Sequence, residues 1–357
     1  MRRTKLICTV GPASIGRLPA LVAAGMDIAR MNFSHGSDDD RREAFEAVRE
    51  AAREAGRRVG ILADLAGPKV RLGDVTTDGL ELVEGMAFIL ASGSGNGNGD
   101  PRADTNHPGL VGDVRPGDRL LVADGTVELC VVECGEEIVT RVVRGGVVRS
   151  RAGVTVPSER LSLPALPEKD RLDLARALEL GAGAIAPSFV RGGEEVRELR
   201  ELIRARPAAI FAKVETRAGI EQVDGILEEA DGIIVGRGDL GSEMPAEEIP
   251  HIQKDLILRA RTIGKPAIVA TEMLQSMTVS WRPTRAEASD VANAVLDGAE
   301  GILLSAETAI GRYPVEAASA AVRIIEEAER VVGLRTSRMA PWEQGTTTSE
   351  AAERRYQ

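Results

Sequence analysis

Eight short apolar runs recur along this chain, at residues 5–10, 27–32, 60–64, 183–187, 208–214, 232–236, 266–271 and 301–305. Amphipathic stretches of helical period lie between them, at 38–55, 168–180, 194–205 and 249–263. Strands that alternate with helices pair in parallel, because each helix carries the chain back to the start of the next strand. Eight such units predict an α/β fold of the closed (β/α)8 barrel type rather than an open doubly wound sheet. One connection breaks the rhythm. From about residue 68 to 158 there is no long helical pattern, and Gly/Asp-rich turns separate short β-like runs at 119–122, 127–132 and 138–142. This reads as a small all-β barrel or sandwich inserted after the third strand. The expected division is barrel at 1–67, inserted β domain at 68–158, barrel again at 159–332 and a polar tail at 333–357. Inside the insert, the Gly/Ser/Asn stretch 92–100 reads as a flexible loop. No Lys-Ser/Thr follows it, so it lacks the context of a phosphate cradle.

Bulk properties narrow the partners. The formal net charge of −10 argues against a general nucleic-acid or anionic-membrane surface. The three cysteines, Cys8, Cys130 and Cys134, show no metal-binding spacing and read as reduced thiols of a cytoplasmic protein. No apolar run reaches the roughly 18 residues of a membrane span. Arg2, Arg3 and Lys5 precede only Leu6 to Val10 before Gly11-Pro12 intervenes, which is a strand and not a signal peptide.

In a barrel of this type the active site lies at the carboxyl ends of the strands, and there the sequence puts its unusual polar residues. The second run ends Arg30-Met31-Asn32-Phe33-Ser34-His35-Gly36 and the third ends Asp64-Leu65-Ala66-Gly67-Pro68-Lys69-Val70-Arg71. The fifth ends with Lys213 and Glu215, the sixth with Arg237-Gly238-Asp239, the seventh with Thr271-Glu272-Met273 and the eighth with Ser305-Ala306-Glu307-Thr308. Lys213 and Glu215 share side-chain parity on an extended chain, so both can face one pocket. Glu215 and Asp239, on neighbouring strand ends, can share a hard divalent cation, Mg2+ or Mn2+. Arg30, Arg71 and Lys213 supply positive charge of the kind a transferring phosphoryl group needs. There is no Walker P-loop, no protein-kinase glycine loop and no Ser-His-Asp arrangement. For His35, position alone leaves a functional and a structural role equally open.

Across roughly residues 1–332 the chain resembles the pyruvate kinase family. The carrying motifs include Thr9-Val10-Gly11-Pro12-Ala13-Ser14, Ala29 to Gly36, Gly67-Pro68-Lys69-Val70-Arg71, Ala212-Lys213-Val214-Glu215, Arg237-Gly238-Asp239-Leu240-Gly241, Ala270-Thr271-Glu272-Met273 and Pro283-Thr284-Arg285-Ala286-Glu287. The resemblance implies a cytoplasmic phosphotransferase that moves the phosphoryl group of phosphoenolpyruvate to ADP, giving pyruvate and ATP. It implies that Arg30 and Lys213 act on the phosphoryl group, that Glu215 and Asp239 bind Mg2+ or Mn2+, and that the backbone at Gly238 receives the substrate carboxylate. Thr271 would sit near the carbon that gains a proton. Asn32, His35 and Arg71 would lie near the nucleotide, and Asn32, Ser34 and Asp64 would line a monovalent-cation site. The insert would be a lid, and the barrel would assemble into a homodimer or other homo-oligomer.

The chain departs from that pattern in three places. It stops soon after the barrel, so the family's C-terminal regulatory domain is expected to be absent. Ala152 stands where a family lid segment carries a lysine, which weakens or changes the nucleotide side. Lys69 and Leu65 replace a glutamate and a threonine of K+-dependent members, so the Lys69 ammonium is expected to replace K+ beside Asp64. Two rivals remain: a specialised paralogue acting on a related enol phosphate, 2-oxo acid or acceptor, and a catalytically weak binding protein.

Overall fold

A parallel strand buried on both faces reads as a continuous apolar run, and these runs become the wall of a barrel. The computed structural model describes residues 2–75, 79–91, 101–123, 125–206 and 208–337. The chain opens with β1 (Lys5–Thr9), α1 (Leu18–Ala24), β2 (Ile28–Asn32), α2 (Asp38–Glu54) and β3 (Gly60–Asp64). It then leaves the barrel for β4 (Val70–Arg71), β5 (Leu80–Leu82), β6 (Ala87–Ala91), β7 (Arg102–Asp104), the single turn α3 (Leu110–Asp113), β8 (Arg119–Val122), β9 (Val127–Cys134), β10 (Ile138–Arg144), β11 (Gly146–Val148) and β12 (Gly153–Thr155). The barrel resumes with α4 (Glu168–Glu179), β13 (Ala184–Ala186), α5 (Gly193–Leu202), β14 (Ala209–Val214), α6 (Arg217–Glu221), α7 (Val223–Glu229) and β15 (Gly232–Gly236). It closes with α8 (Arg237–Glu243), α9 (Ile249–Thr262), β16 (Ala267–Ala270), α10 (Arg285–Asp297), β17 (Gly301–Leu304), α11 (Ala306–Ala309) and α12 (Pro314–Ser337).

The strands pair in parallel in the closed order β1-β17-β16-β15-β14-β13-β3-β2. The expected (β/α)8 architecture is therefore the observed one. Side chains alternate across the wall. Ile7, Leu62, Ala186, Ile234, Ile268 and Leu303 fill the interior, while Leu6, Cys8, Ala63, Ile233 and Val269 pack outward against the helices. Interior space is tight: a Cβ on Gly232 would lie 2.7 Å from the Phe211 ring, so only glycine fits there.

Helix boundaries follow their caps. Ser37 and Asp40 form a reciprocal capping box at the start of α2, and Thr284 and Glu287 form another at α10. Gly298, at φ 103°, ends α10 in the left-handed conformation glycine favours. On α2, Phe45, Val48, Ala51 and Ala52 recur on one buried face.

The inserted segment has its own apolar core, centred on Leu72, Phe88, Leu129 and Val142. Its main sheet runs β4-β12-β8-β9-β10-β6-β7. A single bridge between Leu72 and Thr105 brings its two edges together. Strands β4, β5, β7, β11 and β12 have two or three residues each, too few to show an alternation in the sequence. The loop expected at 92–100 and the tail beyond Ser337 lie outside the described residues.

Phe45→Ala should lower unfolding free energy by about 3–5 kcal/mol, since it empties a fully buried aromatic site between α2 and the barrel. Leu172→Ala, at a residue 65% exposed, should change it by less than about 0.5 kcal/mol. Urea denaturation of both variants checks the pair; equal effects would contradict the assigned packing.

Candidate active site

The inward parity that fills the barrel with apolar side chains places polar ones at its carboxyl end. Thr9, Arg30, Asp64 and Lys213 stand on the interior faces of β1, β2, β3 and β14, one step beyond the apolar layer. Asp64 is buried at 2% exposure. Its Oδ2 accepts from Arg30 Nε at 2.6 Å, and its Oδ1 accepts from Lys213 Nζ at 3.1 Å. Arg30 also donates to Thr9 Oγ1 at 2.9 Å. Lys213 donates to Ser188 Oγ at 2.7 Å and pairs with Glu215 Oε1 at 3.1 Å. Ser188 in turn donates to the Leu65 carbonyl at 2.7 Å.

Charge partners set the protonation states. Burial pushes the Asp64 carboxyl up, but the Arg30 and Lys213 cations outweigh it and hold it below the usual range. Burial would discharge Lys213, yet Asp64 and Glu215 raise its affinity for the proton, so it stays an ammonium. Glu215 is the exception. Burial dominates there, Lys213 opposes it, Asp239 and Asp64 add to it, and the carboxyl is pushed up to about 7. Its Oε2 accepts from the Phe189 N–H at 3.1 Å. A Cβ on Gly236 would sit 2.4 Å from Oε1, so the first residue before α8 must be glycine for the carboxylate to lie where it does.

At the next strand ends, the Thr271 hydroxyl donates to the Ala270 carbonyl at 2.6 Å and accepts from Gly238 N at 2.7 Å. Thr271 and Glu272 both have left-handed backbones, at φ 70° and 55°. Each such non-glycine residue costs about 1–3 kcal/mol, the more so for a β-branched one. Arg237 holds the turn: it donates to Thr271 O at 2.6 Å and is itself gripped by both oxygens of Asp290, at 2.8 and 2.6 Å. A narrow cleft, lined in part by Lys69, Val156, Phe189, Glu215 and Asp239, separates these strand ends from the inserted sheet.

Two carboxylates facing one cleft, one of them short of positive charge, fit a hard divalent ion that keeps water and substrate oxygens as its other ligands. Among the described residues no group of three or more His, Cys, Asp or Glu side chains could hold a metal by itself. Glu215 and Asp239 are the side chains there that could hold such an ion.

Residues 1–318 match the family model described as pyruvate kinase, barrel domain. The chain belongs to the pyruvate kinase family. It is 45% identical over 324 residues to a pyruvate kinase of Geobacillus stearothermophilus, an alignment covering 88% of this chain and 55% of that protein. It is 47% identical over 330 residues to one of Mycobacterium tuberculosis H37Rv, covering 91% and 70%. The fold superposes on a crystal structure of a pyruvate kinase from Cryptosporidium parvum with a TM-score of 0.87 and 36% identity, covering 92% of this chain and 70% of that one. The chain spans little more than half the length of the Geobacillus relative, and 58% of a similar one from Bacillus licheniformis.

Placed against a pyruvate kinase barrel, the remaining sequence expectations divide. Lys69 was expected beside Asp64. Its ammonium instead donates to Asp239 Oδ1 at 2.8 Å and lies 5.6 Å from the centre of the Phe189 ring. Asp64 draws its cations from Arg30 and Lys213. Leu65 was expected to remove an oxygen from a cation site, but its side chain is fully buried in the apolar layer between barrel and helices. Asp64 points inward, so its neighbour must point outward. Asn32 Oδ1 accepts from Ser34 N at 3.0 Å, which ties these two into a local turn, and His35 stands exposed on the rim. Arg71 lies on the insert, where it donates to the Arg151 carbonyl at 3.1 Å. Ala152 packs against the insert's apolar core. Arg237, expected at the end of the sixth strand, is at the site, and Ser188, Phe189 and Asp290 join it although residue type alone does not mark them for it.

The Glu215 carboxyl gives a pH signature without metal. A folded-state value raised from the usual 4.5 to about 7 means that the folded protein binds this proton more tightly. The resulting stabilisation is complete below pH 4.5 and is lost as pH rises through about 7. In chelator, unfolding free energy of the parent should fall relative to Glu215→Gln across that interval. Parallel stability curves for the two proteins would contradict the assignment.

Proposed function

We propose that this chain transfers the phosphoryl group of phosphoenolpyruvate to ADP, giving pyruvate and ATP, with Mg2+ or Mn2+ held by Glu215 and Asp239. The observation that carries this reading is the Lys213 ammonium, fixed between Asp64, Ser188 and Glu215 at the mouth of the barrel. Phosphoryl transfer needs positioning and charge neutralisation more than covalent catalysis. Arg30 and Lys213 present cations that are already oriented by buried partners, so little reorganisation is needed as charge develops. The divalent ion supplies further neutralisation of the substrate's oxygens when bound. A substrate carboxylate reaching the first turn of α8 competes with the Thr271 hydroxyl for the Gly238 N–H. The freed hydroxyl is then positioned next to the carbon that gains a proton. Arg71, His35 and Asn32 belong to the nucleotide side, and the inserted sheet acts as a lid over the cleft.

On this reading the enzyme is cytoplasmic and assembles as a homo-oligomer through the barrel. Among the described residues no helix is long and apolar enough to cross a membrane. It works without K+, because Asp64 already accepts from two cationic side chains. A second reading, transfer to a different acceptor or from a related enol phosphate, is favoured by Ala152, whose methyl group packs into the insert and offers nucleotide phosphates no charge.

Pyruvate formation from phosphoenolpyruvate should be seen with Mg2+ and ADP in K+-free buffer with a tetraalkylammonium counter-ion. Lys213→Met and Glu215→Gln should each lower kcat by at least about a hundredfold, with circular dichroism unchanged. Turnover with GDP but not ADP would select the second reading, and no turnover with either would overturn the first. Strong activation by added K+ would contradict the charge assignment at Asp64.

A further inference from the structure

Lys69 follows Gly67-Pro68 at the exit of β3 and immediately precedes β4, the first strand of the insert. Its backbone is tied to the insert, since Asn106 Nδ2 donates to the Lys69 carbonyl at 3.1 Å. Its side chain reaches the other way, to Asp239 Oδ1 on α8 at 2.8 Å. The Phe189 ring beneath the ammonium belongs to the residue whose N–H holds Glu215 Oε2. The pair is only partly exposed, at 22% for Lys69 and 32% for Asp239, so water screens it incompletely.

We propose that Lys69 is a tethered cation that competes with the divalent ion for Asp239, lowering the ion's affinity. This rests on the metal reading of Glu215 and Asp239 given above. A Mg2+ ion bonded to a carboxylate oxygen would sit about 2.0–2.1 Å from it. An ammonium on the same carboxylate then faces a like charge at short range, and the ion must displace it or bind against repulsion. Lys69 thus acts on the metal site through Asp239. With the ion bound, the displaced ammonium turns into the cleft towards the arriving phosphate groups.

Mn2+ binding to the whole protein without substrates, followed by electron paramagnetic resonance of the free ion, tests this directly. Lys69→Met keeps the length and apolar stem but removes the charge, and should tighten Mn2+ binding about tenfold. Lys69→Arg keeps the charge and should stay within about twofold of the parent. Asp239→Asn should weaken binding, and adding Lys69→Met to it should change nothing further. If Lys69→Met leaves the affinity unchanged or weakens it while Glu215→Gln and Asp239→Asn lose the ion, the metal site stands and the competition is overturned. If the two carboxylate variants bind Mn2+ as the parent does, the metal site falls and the competition falls with it.

Discussion

One buried carboxylate organises the mouth of this barrel. Asp64 is almost wholly removed from water, which is tolerable only because Arg30 reaches it from the adjacent strand β2 and Lys213 from β14, two strands away on the other side. Removing either cation would leave the other partners with uncompensated charge in a desolvated place, at a cost of about 3–5 kcal/mol. The two cations need Asp64 equally. Without it, Arg30 and Lys213 would repel one another inside the same ring of strand ends. Opposite charges are paired around the rim: Arg30 and Lys213 with Asp64, Lys213 with Glu215, and Lys69 with Asp239. A site built this way holds its cations in place before any substrate arrives.

A second constraint acts on the adjacent strand ends. The left-handed Thr271-Glu272 turn is strained, and Arg237 restrains it through the Thr271 carbonyl while Asp290 of α10 grips the guanidinium from behind. The helix α10 begins with a complete capping box, so its first turns are a firm base for that grip. Strain at a turn that carries a candidate substrate contact is a familiar companion of preorganisation. Here the structure shows the elements that hold it: one arginine, one aspartate and a capped helix.

Much of this could be read from the sequence, because strand parity and apolar period carry the information. The eight barrel runs stand out as short apolar segments, and Lys213 and Glu215 declare a shared face by their spacing. The same parity rule turns Leu65 away from the site that Asp64 faces, a direction that residue type alone does not carry. Lys69 was harder. A long, flexible side chain on a loop chooses its partner in three dimensions, and the Asp239 carboxylate that attracts it lies 170 positions away. The small strands of the insert are too short to show any period, and their pairing depends on turns that carry little sequence signal. Ser188 and Phe189 look like loop residues until the fold places one against Lys213 and the other against Glu215.

The central claim is that the inward-facing residues at the strand ends, Lys213 and Glu215 above all, form a site that can hold and polarise a 2-oxo acid. The most direct measurement is exchange of the methyl protons of pyruvate into heavy water, followed by proton nuclear magnetic resonance with Mg2+ and without nucleotide. It probes the 2-oxo acid side of the proposed site alone and does not depend on the identity of the phosphoryl acceptor. The account predicts exchange in the parent protein that requires the divalent ion and disappears in Glu215→Gln. Exchange that persists in Glu215→Gln, or a parent that exchanges nothing under these conditions, would contradict it.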